Sequence, residues 1–194
     1  MISGRFTPQR KAIGVNDKFG NTGIKKQQGS TVIKYDSLPL DGRTEYRFFD
    51  GSSQRNFPLS NTGSDGNKLG VGNTLVLERA YLSIVSFVEG AVSEVEVLSL
   101  ATTSPNILTS EFSFSIANSE VIKQVPILSW LPQFNKVAEN QLNTNFEFDT
   151  QLVIPPLLEY VATLRLPAGV TSQDSFLRLT VEGTGAIIAP RTTF

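Results

Sequence analysis

One-for-one alternation of apolar and polar residues recurs along this chain and constrains its fold more than any other feature. In Ser110–Ala117, Phe112, Phe114 and Ile116 share one face of an extended strand, while Glu111, Ser113 and Ser115 share the other. Thr144–Ile154 repeats the pattern, with Phe146, Phe148, Leu152 and Ile154 inward and Asn145, Glu147, Asp149 and Gln151 outward. Leu177, Leu179 and Val181 mark a third strand within Phe176–Glu182. Three more follow the same rule: Thr44–Phe49, Val92–Leu98 and Tyr160–Leu166. In the run Leu75–Val88 the apolar parity changes between Leu75/Leu77 and Ala80/Leu82/Ile84, and a bulge near Glu78–Ala80 reconciles the two faces.

The connections carry turn chemistry. Glu89-Gly90 reads as a tight hairpin, and Asp50–Asn73, rich in Gly, Ser and Asn, as one long surface loop. Gln133–Gln141 is the single helix-like stretch, and no helix–strand alternation supports a parallel α/β sheet. Seven or eight strands, each with one buried face, predict an all-β antiparallel sandwich with an extended N-terminal arm, a single jelly roll before an immunoglobulin-like fold. At 194 residues the chain holds one such domain.

Composition then removes whole classes of chemistry. The chain has no cysteine and no histidine, which excludes disulfides, thiolate metal sites and every Ser-His or Cys-His nucleophile pair. The first residues lack the apolar core of a signal peptide, no stretch of about 18 apolar residues occurs, and N-x-S/T is absent. A soluble protein made in the cytoplasm of its host is expected.

Charge is divided unevenly. Residues 1–35 hold seven basic residues against Asp17, whereas the remainder holds ten basic and seventeen acidic residues. Residues 1–30 have isolated apolar positions without period, so they read as an extended basic arm preceding a domain over 31–194. Arg5, Arg10, Lys11, Lys18, Lys25 and Lys26 are its candidate contacts, toward packaged nucleic acid, a phospholipid surface or the acidic body of a neighbouring subunit. The apolar C-terminal stretch GTGAIIAPRTTF reads either as a tail tucked under a partner or as a last edge strand.

Candidate enzyme chemistry is thin. Glycoside hydrolysis needs two carboxylates about 5–9.5 Å apart, and Glu94/Glu96 and Glu147/Asp149 each leave one strand face at roughly 7 Å spacing. The neighbouring aromatics alternate onto the opposite face, so these acids read as a solvated surface, and Trp130 as a packing anchor. Gly66–Gly72 matches no phosphate-binding pattern, and Asp36, Asp41, Asp50 and Asp65 have no EF-hand order. No catalytic residue, metal or cofactor is expected.

The basic Gly/Gln-rich arm, about eight strands, long loops and the phrases FSFSIANSEVIK (112–123) and VEGTGAIIAPR (181–191) together resemble the single jelly-roll coat and vertex proteins of small icosahedral viruses and tailless bacteriophages. The resemblance implies a virion structural protein: a coat, penton or minor capsid subunit that assembles with copies of itself and other virion proteins. Its arm would face inward toward genome or internal membrane. The alternative is a carbohydrate- or receptor-binding sandwich of a fibre or spike, presenting the loops Asp50–Asn73 and Pro167–Ser175.

Overall fold

The computed structural model describes residues 27–51, 57–62, 66–71, 73–88, 91–96, 107–130, 145–167 and 170–188. Nine strands follow in chain order: β1 (Gln27–Asp41), β2 (Glu45–Phe48), β3 (Thr74–Val88), β4 (Ala91–Glu96), β5 (Glu111–Ile116), β6 (Ser119–Pro126), β7 (Asn145–Ile154), β8 (Tyr160–Arg165) and β9 (Thr171–Ile188). A 3₁₀ turn, Ile127–Trp130, follows β6.

The strands form two antiparallel sheets. One has the order β1-β9-β3, with β7 and β4 side by side along the far edge of β3, and the other is β2-β8-β5-β6. β7 pairs with β3 over Leu75–Tyr81, and β4 over Ser83–Val88. The pairing is nested: β1 with β9, β2 with β8, β3 with β7 and β5 with β6. β4 is a hairpin extension of β3, with Val88 opposite Ala91. That register leaves room for the two-residue turn predicted at Glu89-Gly90, which itself lies outside the described residues.

The apolar faces close on one core between the sheets. Leu38, Leu75, Leu77, Leu82, Leu177, Leu179 and Val181 come from the first sheet, and Tyr46, Phe48, Phe112, Phe114, Ala162 and Leu164 from the second. Period-two alternation is what lets each strand supply a side chain to this layer at every other position. Trp130 is buried and packs as the sequence suggests, 5.1 Å from the Phe112 ring and 5.5 Å from Phe146. The turn at Ile127–Trp130 thus pins the end of β6 to the core.

The parity change in β3 is resolved by a bulge at Glu78. Leu77 lies opposite Gly183 and Arg79 opposite Glu182, so one extra β3 residue is accommodated at that point. Leu75 and Leu77 therefore point into the same core as Ala80, Leu82 and Ile84. On the other side of β3, Leu77 pairs with Leu152 and Arg79 with Glu147, so residues 148–151 of β7 face only Glu78. Val76, Ala186 and the half-buried Val153 make a small second cluster on the outer face of the sheet.

Three elements differ from the sequence reading. β1 begins at Gln27, so Gln27–Ser30, read as the end of the arm, pair with β9 instead. β6 follows no apolar alternation and is mostly exposed, which is why periodicity did not mark it. The stretch Gly183–Ala186 is neither tail nor edge: it continues β9 between β1 and β3, Ile187 and Ile188 pair with β1, and 189–194 lie outside the described residues. β9 also starts at Thr171, which shortens the loop expected over Pro167–Ser175.

Candidate functional site

Three connections meet at one end of the sandwich and are tied to the strands by backbone groups. Leaving β2, Phe49 takes a left-handed conformation (φ 58°), and its N–H donates to the buried Asp36 carboxylate at 2.8 Å. Farther along this loop, Asn61 lies beside β1. Its N–H donates to the Tyr35 carbonyl at 3.2 Å, its side-chain oxygen accepts the Tyr35 N–H at 2.8 Å, and its amide nitrogen donates to the Ile33 carbonyl at 2.9 Å. One asparagine thus imitates a neighbouring strand.

The loop then engages β8 and the β7–β8 turn. The Tyr160 N–H donates to the Asn67 carbonyl, the Leu157 N–H to the Leu69 carbonyl, and Lys68 pairs with Glu159 at 3.2 Å. The tight β5–β6 turn joins them through the Ala117 N–H, which donates to the Glu159 carbonyl at 2.7 Å. Two large apolar side chains nevertheless face solvent here, Val71 (69% exposed) and Leu157 (55%), while Phe57 (83%) is exposed next to Pro58, whose carbonyl accepts from Arg178. Beside them a partly open pocket of about 220 Å³ has an apolar floor of Val32, Leu69, Leu75 and Ala186, with Lys34 and Lys68 at its wall. Lys34 donates to the Asn61 carbonyl at 3.3 Å. An apolar surface beside ammonium groups is equipped for contact with another molecule.

The opposite end carries Arg43 paired with Asp41, whose carboxyl this guanidinium holds below the usual range. There the Leu166 N–H donates to the Thr44 carbonyl, and the exposed Leu128 lies within the 3₁₀ turn, its N–H donating to the Leu108 carbonyl. On the outer face of the β1-β9-β3 sheet, Tyr81 donates to Glu182 at 2.5 Å, Thr184 to Glu78 at 2.5 Å, and Arg178 covers the Tyr35 ring at 4.6 Å. Burial first, and then the Glu182 hydrogen bond, push the Tyr81 hydroxyl up.

The sequence-predicted residues do not converge. Arg5, Arg10, Lys11, Lys18, Lys25 and Lys26 lie outside the described residues, as do Asp65, Gly72, the helix-like stretch 133–141 and the side chains of Glu94, Glu96 and Asp149. Glu147 is on the exposed face, 4.0 Å from Arg79. Asp36 anchors Phe49 and Asp41 pairs with Arg43, so each has a structural partner instead of a shared ion site. Among the described residues no group of three His, Cys, Asp or Glu side chains is placed to hold a metal.

What the sequence reading missed is the docking of the loop, above all Asn61 on β1. Its signal is an asparagine in a Gly/Ser-rich stretch, a residue type that substitutes for backbone hydrogen bonding. Neither protein-family models nor curated protein sequences match this chain.

Proposed function

We propose that this protein is a virion structural subunit with a jelly-roll fold, acting through contacts between copies and with other virion proteins. The observation that carries the fold name is the nested pairing. With β4 set aside, eight strands pair first with last, second with seventh, third with sixth and fourth with fifth. That is the order produced when one long antiparallel hairpin is rolled into two facing sheets.

A fold alone does not assign a function, and two further features support the assembly reading. Exposed apolar side chains stand on the backbone-tethered connections, Val71 and Leu157 beside the docked Leu69 and Phe57 elsewhere on the same loop. In the sequence the basic residues before β1 precede an acidic remainder, an asymmetry suited to head-to-tail contact between successive copies or to a polyanion inside a shell.

The test is the solution mass of the full chain and of a chain lacking residues 1–26, each at low and high salt. The deletion leaves β1 whole. Large assemblies that need residues 1–26 and weaken with salt are expected. An identical small mass under all four conditions contradicts the proposal.

A further inference from the structure

We propose that the pocket walled by Lys34 and Lys68 binds a small organic monocarboxylate, an acid group joined to one aromatic ring or branched aliphatic chain. The inference goes beyond the assembly reading and does not depend on it. On the inner face of β9, Leu177, Leu179 and Val181 fill the core, and the same parity continues into Gly183 and Gly185. With no side chain at either glycine, Leu75 of β3 and Val32 of β1 close against the β9 backbone. Leu75 Cδ1 is 3.1 Å from where a Gly183 Cβ would stand, and Val32 Cγ2 is 2.5 Å from that of Gly185. Leu69 from the loop and Ala186 complete the apolar lining.

The loop covers this floor without filling it, because backbone bonds fix where it runs. The Leu157 N–H donates to the Leu69 carbonyl at 2.9 Å, and the Asn73 N–H to the Gly70 carbonyl at 3.0 Å. A pocket fixed in this way is formed before its ligand arrives. Its size sets that of the ligand. A cavity of about 150 Å³ lined by apolar side chains takes up benzene, and the volume of about 220 Å³ here adds room for a carboxyl group.

The polar part of the lining selects an anion. Two lysines and no acidic residue are among its described residues. Glu159, which pairs with Lys68 at 3.2 Å, is not one of them, and both members of that pair are about half exposed, a setting in which an ion pair holds weakly and gives way to a second anion. Thr74 supplies an independent sign. It lines the pocket, is 2% exposed, and its hydroxyl has no hydrogen-bond partner among the described residues. Leaving a buried hydroxyl unsatisfied is costly, and a carboxylate oxygen in the pocket would accept from it. Inorganic phosphate offers nothing to the apolar floor, and a neutral apolar molecule gains nothing from the lysines or the Thr74 hydroxyl.

Phenylacetate is the probe, with phenylacetamide as its neutral match and inorganic phosphate as the bare anion. Saturation-transfer difference NMR on the full chain reads ligand binding whatever the size of the assembly. Phenylacetate is expected to bind with a Kd of roughly 1 mM or below, attainable for a ligand of about ten heavy atoms. Phenylacetamide should bind roughly tenfold more weakly, and phosphate should not displace phenylacetate. Lys34→Met and Lys68→Met should each weaken phenylacetate several-fold with the circular dichroism spectrum unchanged, and Val32→Phe, which fills the pocket from its floor, should remove binding. Thr74→Val takes away the unpartnered hydroxyl at nearly equal volume, so it should weaken binding yet raise the urea midpoint of the free protein. No phenylacetate signal, equal binding of the amide, displacement by phosphate, a V32F variant that binds like wild type or a lowered midpoint in T74V would each overturn the site. A fall in solution mass on adding phenylacetate would assign the pocket to a neighbouring copy instead.

Discussion

A single methyl group separates glycine from alanine, and at Gly183 the fold has no space for it. A Cβ there would lie 1.9 Å from the Val76 carbonyl oxygen and 2.8 Å from its carbon, both backbone atoms of the β3 segment leading into the bulge. At Gly185 the two nearest atoms are instead side-chain atoms, Val32 Cγ2 at 2.5 Å and Ser30 Oγ at 2.9 Å, and the nearest backbone atom, the Thr74 carbonyl oxygen, is farther off at 3.1 Å. Gly183→Ala is therefore expected to cost about 3 kcal/mol or more, at the upper end for overpacking, and Gly185→Ala clearly less. Urea midpoints of the two variants check the order, and equal losses would contradict the close approach as its cause. The sequence shows glycines in VEGTGA but not this distinction, because the clash is with a strand about a hundred residues away.

At the scale of elements, β3 is one strand only because Glu78 is surplus to its ladder. Removing Glu78 restores regular pairing but flips either Leu75 and Leu77 or Ala80, Leu82 and Ile84 out of the core, since a one-residue shift exchanges the faces of a strand. The deletion is expected to abolish folding. Glu78→Ala, which loses the Thr184 hydrogen bond but keeps the bulge, should cost about 1 kcal/mol. Thermal melting followed by circular dichroism separates the cases, and a cooperative melt in the deletion variant would show that the bulge is dispensable. The bulge was legible because two apolar parities meet within one run. β1 was not, because Asp36, Ser37 and Leu38 are buried in succession and Pro39 interrupts the pattern. β6 was not because an exposed edge strand needs no apolar face.

For the whole molecule, stability against alkali follows from where the tyrosines sit. Burial is the first cause that pushes the hydroxyls of Tyr46, Tyr81 and Tyr160 upward, and Tyr160 is raised furthest. A tyrosine whose folded-state pKa is raised contributes stability that is complete below the unfolded value of about 10 and is lost as pH climbs above it. Urea midpoints should hold steady from neutrality to about pH 9 and then fall, with tyrosinate absorbance growing as the chain unfolds. Tyr160→Phe keeps the ring contacts with Phe49 and Phe114 and should make that fall shallower. An unchanged slope in this variant would place the alkaline sensitivity elsewhere. The same nested topology pairs Gln27 with Ile188, so the two ends of the described domain close one ladder.

Sequence by itself determined the all-β class, the inward residues of β2, β5, β7, β8 and β9, the β3 bulge and the packing role of Trp130. All of these are set by local periodicity or by a residue type whose burial is favoured wherever the chain runs. Tertiary structure alone decided the nested order of the strands, the central place of Gly183–Ala186 and the docking of Asn61 on β1. These depend on which strand lies beside which, and hydrogen bonds between backbones are nearly blind to sequence, so no pattern within a single strand records its neighbour.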